Sequence, residues 1–233
     1  MELTALTFDD WNAIGLSCAV AALSVLILAV PGIAIGYCLA RKSFRGKILL
    51  DAIVHLPLVL PPIAVGYLLL LTLGRNSTIG GFMEDTLNIR ISFTFWAAVI
   101  ASSIMAFPLM VRSIRVAVEL VDPKLEDAAA SLGSSPWQTF LRVTLPLSIP
   151  GVITGFILAF ARSLGEFGAT IIFAGNIEGE TRTLPLSIFS LTQQPGKANS
   201  ALTLVLCACV LSLIALVLSE VLTRRTRRLL EER

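Results

Sequence analysis

Long stretches of this chain contain no Asp, Glu, Lys or Arg. Residues 13–40, 52–74, 91–111 and 198–219 are free of ionisable carboxylates and cations, and 143–174 is interrupted only by Arg162 and Glu166. A helix crossing a bilayer needs about 20 consecutive apolar residues. The chain therefore has five segments long enough to cross. With 55% hydrophobic and 15% charged residues, it lacks the roughly 25% charge of soluble domains. A sixth charge-free stretch, 183–196, holds only 14 residues and includes Pro185 and Pro195. It reads as a re-entrant or short helix–loop segment rather than a crossing.

Orientation follows from the basic residues, which concentrate in short cytoplasmic loops. Arg41, Lys42, Arg45 and Lys47 follow the first span; Arg112, Arg115, Lys124 and Arg142 follow the third; Arg224, Arg225, Arg227, Arg228 and Arg233 follow the fifth. The other side has Arg75, Arg90, Arg182 and Lys197. Five crossings then put the N-terminus outside and the C-terminus in the cytoplasm. The expected fold is all-α and integral to the membrane, with spans at about 13–40, 50–74, 91–115, 143–174 and 198–222. Residues 1–12 form an extracytoplasmic N-terminus without the basic start of a cleaved signal, and 223–233 a basic tail against anionic lipid.

Composition and motifs also exclude functions. The net charge of +2 is small and divided by topology, so no nucleic-acid surface is expected. Cys18, Cys38, Cys207 and Cys209 lie in apolar runs and read as small apolar residues; His55 stands alone, so no metal site is expected. No G-x-x-x-x-G-K-[ST] phosphate loop is present, since Gly196-Lys197 is followed by Ala198. Isolated Ser, Cys and His positions supply no catalytic constellation.

Outside the spans, Asp122-Pro123 is a helix start, with an N-cap acceptor and a proline at the first helical position. Leu125, Ala128, Ala129 and Leu132 follow at i, i+3, i+4 and i+7 as one apolar stripe, with Glu126 and Asp127 near the positive end and Gly133 as the stop. A helix this short must lie against something. Its own bundle and a partner surface both remain open on these grounds.

Within the spans, Arg162 and Glu166 are spaced i,i+4 at a depth where charge is costly. They read either as a neutralised packing pair or as a polar element of a path. Ser102, Ser103, Met105 and Phe107 offer a gate constriction or plain core. Prolines 57, 61, 62, 108, 146 and 150 mark bends or static kinks.

The string Glu126-Asp127-Ala128-Ala129-Ala130-Ser131-Leu132-Gly133, with Val143-Thr144-Leu145-Pro146 ten residues on, resembles the EAA signature of binding-protein-dependent ABC importer permeases. Asp127 stands between the glutamate and the alanines, and Val143 replaces the commoner isoleucine. The strings at 55–62, 106–112, 160–170 and 176–183 are similar to the molybdate permease branch, over about residues 11–222; sulfate permeases share part of the third.

The resemblance implies a type I importer fold at 13–222 in the cytoplasmic membrane, with a coupling helix at 122–133 seated in a cleft of an ATPase subunit. It further implies a homodimer with the path between subunits, two ABC ATPase subunits that bind the ATP and Mg this chain does not, and an extracytoplasmic molybdate-binding protein. The implied cargo is molybdate or tungstate, with sulfate or thiosulfate as the alternative. Covalent chemistry is not expected in this chain.

Overall fold

The protein is described here from a computed structural model covering residues 5–231, with the backbone alone at 219, 222, 223 and 225–231. Its secondary structure is entirely helical among the described residues: α1 (Phe8–Arg41), α2 (Lys47–Val59), α3 (Pro62–Leu73), α4 (Thr78–Leu87), α5 (Phe95–Glu119), α6 (Pro123–Ser131), α7 (Pro136–Thr139), a π-helical stretch (Phe140–Thr144), α8 (Leu145–Leu164), α9 (Gly168–Phe173), α10 (Leu184–Thr192) and α11 (Ala198–Glu231).

Four continuous helical segments are long and apolar enough to cross a membrane, and a bent pair makes a fifth candidate. α1 begins in the segment assigned to the outside, because Thr7 and Asp10 form a capping box at Phe8. The second expected span is not one helix. α2 and α3 meet at 113°, because Leu60 precedes Pro61 and Pro61 precedes Pro62, and a residue before proline is driven out of the helical region. Both are extended (ψ 141° and 131°), and Pro62 then opens α3. Pro108 and Pro150, in contrast, lie inside helices that run on.

The fourth span starts earlier and ends sooner than expected. It runs from Pro136 through a widened turn at Phe140–Thr144, just ahead of Pro146, and stops at Leu164. Residues 165–174 form a separate turn and α9. α10 is a nine-residue helix, in keeping with the expected non-crossing segment. The stretch of α11 apolar enough to cross is Ala198–Leu218, and the helix itself continues without a break through most of the basic tail; apart from Arg224, the arginines of that tail lie outside the described side chains.

α5 is the central helix. Two-thirds (67%) of its most apolar window is buried, against 17–33% for the other three continuous segments. α1 runs parallel to it, as Ser24 Oγ donates to Val99 O (3.2 Å) near one end and Arg41 Nη2 to Val121 O (2.6 Å) at the other. α8 runs antiparallel, with Ser113 Oγ donating to Gly151 O (2.9 Å) and the Gly155 position facing Met110 O. These directions are those of a first, third and fourth crossing. α9 closes against α3 so tightly that a Cβ on Gly66 would lie 2.6 Å from Ala169 O. At that end of the bundle, Leu184 N–H donates to the buried Ser17 Oγ (2.6 Å), which ties α10 to α1.

Candidate coupling surface and polar pair

α6 forms where its sequence places it. The Asp122 carboxylate accepts from Lys124 N–H (3.0 Å), and Pro123 occupies the first helical position, where its missing N–H costs nothing. Gly133 adopts φ +85°, and the N–H groups of Gly133 and Ser134 fold back onto Ala130 O (2.9 Å) and Ala129 O (3.1 Å).

The apolar stripe of this helix is not covered by its own subunit. α6 has no buried residue; Leu125 is 48% and Leu132 88% exposed. Ala128 is exposed and Ala129 half-buried, while Asp127 is exposed. Of the two surfaces left open by the sequence, the subunit's own bundle does not take the stripe.

Glu126 points the other way. Its Oε1 accepts from Arg41 Nε (3.0 Å) and from the buried Thr144 Oγ1 (2.7 Å), and both Arg41 and Glu126 are largely shielded from solvent. Of the residues expected to couple the helix to a partner, Glu126, Asp127, Ala128, Ala129, Leu132 and Gly133, the glutamate alone is turned to its own subunit by these bonds. The glutamate is a pin that fixes α6 to the end of α1 and to the π-helical stretch. Arg41 and Thr144 were not visible as its partners in the sequence.

Arg162 and Glu166 do meet, with Nη1 and Oε2 2.7 Å apart, but not on one helical face. α8 ends at Leu164, and Glu166 lies past it in the turn, 2% exposed. Its second oxygen accepts from Ala169 N–H (2.8 Å) in the first turn of α9. The pair therefore neutralises itself and shapes the α8–α9 turn. The gate set is also relocated. Ser102, Ser103 and Met105 are buried inside the subunit, Met105 among Val65, Ala98, Ala101 and Phe173, while Phe107 packs against the clusters around Met110 and Val111.

A polar network that sequence reasoning passed over joins Arg182 Nε to Asn176 Oδ1 (2.9 Å) and Asn176 Nδ2 to Ser190 Oγ (2.8 Å), while Arg182 also pairs with Glu178. It holds the 174–183 loop onto α10. Its signal was the density of polar residues in 176–183.

Residues 32–228 match the model of the binding-protein-dependent transport system inner membrane component family. The chain belongs to that family. It is accordingly a multi-pass inner-membrane protein and a component of a transport system. The Molybdenum transport system permease protein ModB of Escherichia coli (strain K12) is 50% identical over 222 residues, 95% of this chain and 97% of that protein. The Sulfate transport system permease protein CysW of Synechococcus elongatus is 35% identical over 217 residues, 93% of this chain and 75% of that one. A crystal structure of a bacterial alginate ABC transporter in complex with an alginate pentasaccharide-bound periplasmic protein aligns with a TM-score of 0.73 at 17% identity, covering 94% of this chain and 80% of that one. That likeness establishes the type I importer permease fold. Family members are transport components, which agrees with a chain expected to do no covalent chemistry.

Proposed function

We propose that this chain is the permease subunit of an ATP-driven importer that carries molybdate, or the similar tungstate, inward across the cytoplasmic membrane. It works as a homodimer on two ATPase subunits that bind ATP and Mg, and an extracytoplasmic binding protein feeds it. The N-terminus lies outside and α6 lies in the cytoplasm. The observation that carries this reading is a short helix whose apolar stripe is bare while its glutamate is locked to two spans. Such a helix receives a push from outside the subunit and passes it inward, as closure of the ATPase pair would require. The 50% identity to a molybdenum permease against 35% to a sulfate permease favours molybdate over sulfate or thiosulfate.

The test is uptake into proteoliposomes holding the permease, the ATPase and the binding protein, with the internal anion identified by elemental analysis. Molybdate accumulation that requires ATP and all three components is the expected result. Accumulation by this chain alone under an ion gradient would overturn it.

A further inference from the structure

α5 turns one stripe, Leu109, Arg112, Val116 and Leu120, away from the core. It forms one wall of a groove of about 810 Å³ whose other wall is α8 from Leu147 to Leu158. Arg112 also lines a smaller cavity of about 270 Å³ towards α2, shared with Asp51 and His55. Arg112 thus stands where the two spaces join.

Arg112 differs from the other arginines of α1, α5 and α8. Arg41 holds Glu126, Arg162 holds Glu166, and Arg115 holds both Asp51 (3.1 Å) and Glu119 (2.8 Å). Arg112 has no hydrogen bond or ion pair among the described residues, and Arg115 already occupies the two carboxylates of the smaller cavity. The groove's single acid, Asp122, caps α6.

A guanidinium without a partner beside an apolar wall, at the α6 end of a spanning helix, is costly where lipid covers it. Its cost is offset where the wall borders water and a passing anion. We propose that Arg112 is the point at which the permeating divalent oxyanion contacts the permease on the α6-proximal half of its path. This inference rests on the importer reading above. A guanidinium presents paired donors that fit a tetrahedral oxyanion, and one cation without helpers holds the anion weakly enough to release it. Arg162, the basic residue that the sequence put forward for this role, has its charge matched by Glu166 and the α9 turn.

The experiment uses the assembled complex in proteoliposomes with molybdate as the probe. R112Q should lower the maximal uptake rate about ten-fold or more, the effect of one lost charge-assisted contact. The half-saturating molybdate concentration, ATP hydrolysis and co-purification should stay within about two-fold, and R112K should recover part of the rate. Unchanged uptake by R112Q overturns the proposal. So does loss of assembly in R112Q, which would make the residue a contact between subunits. A wild-type complex that moves neither molybdate nor sulfate fails the importer reading and this inference together, and is distinguished because the wild type itself is inert.

Discussion

Arg41 Nε and Glu126 Oε1 stand 3.0 Å apart across 85 residues of sequence, and the same carboxylate oxygen receives Thr144 Oγ1 at 2.7 Å. One side chain therefore joins the short helix α6 to the first span and to the entrance of the fourth. Glu126→Gln preserves shape and can still accept from Thr144, but removes the charge that Arg41 holds. The expected outcome is a working ATPase with poor transport: molybdate moved per ATP falls about five-fold or more, the cost of one charge-assisted bond in the coupling element. Parallel measurement of hydrolysis and uptake checks this, and a fall in both by the same factor would count against it.

The bare stripe of α6 predicts a different phenotype. Leu132→Asp or Ala128→Trp should reduce co-purification of the ATPase about ten-fold or more, as hot-spot losses do. Neither change should alter insertion or the Tm of the isolated permease, because these exposed side chains do not support its own fold.

Two glycines separate steric from conformational cost. A side chain at Gly66 meets the backbone of Ala169 at 2.6 Å, so Gly66→Val should force α3 from α9 and cost about 1–3 kcal/mol or more. At Gly133 no atom lies within 4 Å, yet φ is +85°, so Gly133→Val should cost about 1–2 kcal/mol through backbone strain alone. Gly133→Asn should recover part of that. Thermal unfolding of the detergent-solubilised protein reads both.

Removing Arg162 leaves a buried carboxylate without its cation. Arg162→Met should destabilise the permease by about 3–5 kcal/mol, with uptake and assembly falling together. The double change Arg162→Met with Glu166→Gln should restore most of the stability, since glutamine still accepts from Ala169 N–H. A double variant no better than the single would refute the pairing as the source of the loss.

The sequence disclosed what depends on near neighbours. Charge-free length marked the spans, Asp122-Pro123 marked the start of α6, and i,i+4 spacing marked the Arg162–Glu166 contact. It did not disclose where helices stop inside an apolar run. Leu60-Pro61-Pro62 carries the signal for the 113° break, but continuous hydrophobicity on both sides masks it, and the end of α8 at Leu164 is masked because Arg162 and Glu166 at i,i+4 read as one continuous helical turn. Partners distant in sequence stayed hidden. Nothing near Glu126 points to Arg41, and Met105 in an apolar helix looks the same whether it faces a path or the core. Arg112 was counted as a loop cation for topology, and only the cavities on either side of it reveal its exposed stripe.

Leu132 and its neighbours on α6 have one more consequence. A subunit inserted ahead of its motor shows a greasy patch to the aqueous side, where proteases and chaperones patrol. Cells making this permease are expected to match its synthesis to that of the ATPase, and surplus copies should be short-lived.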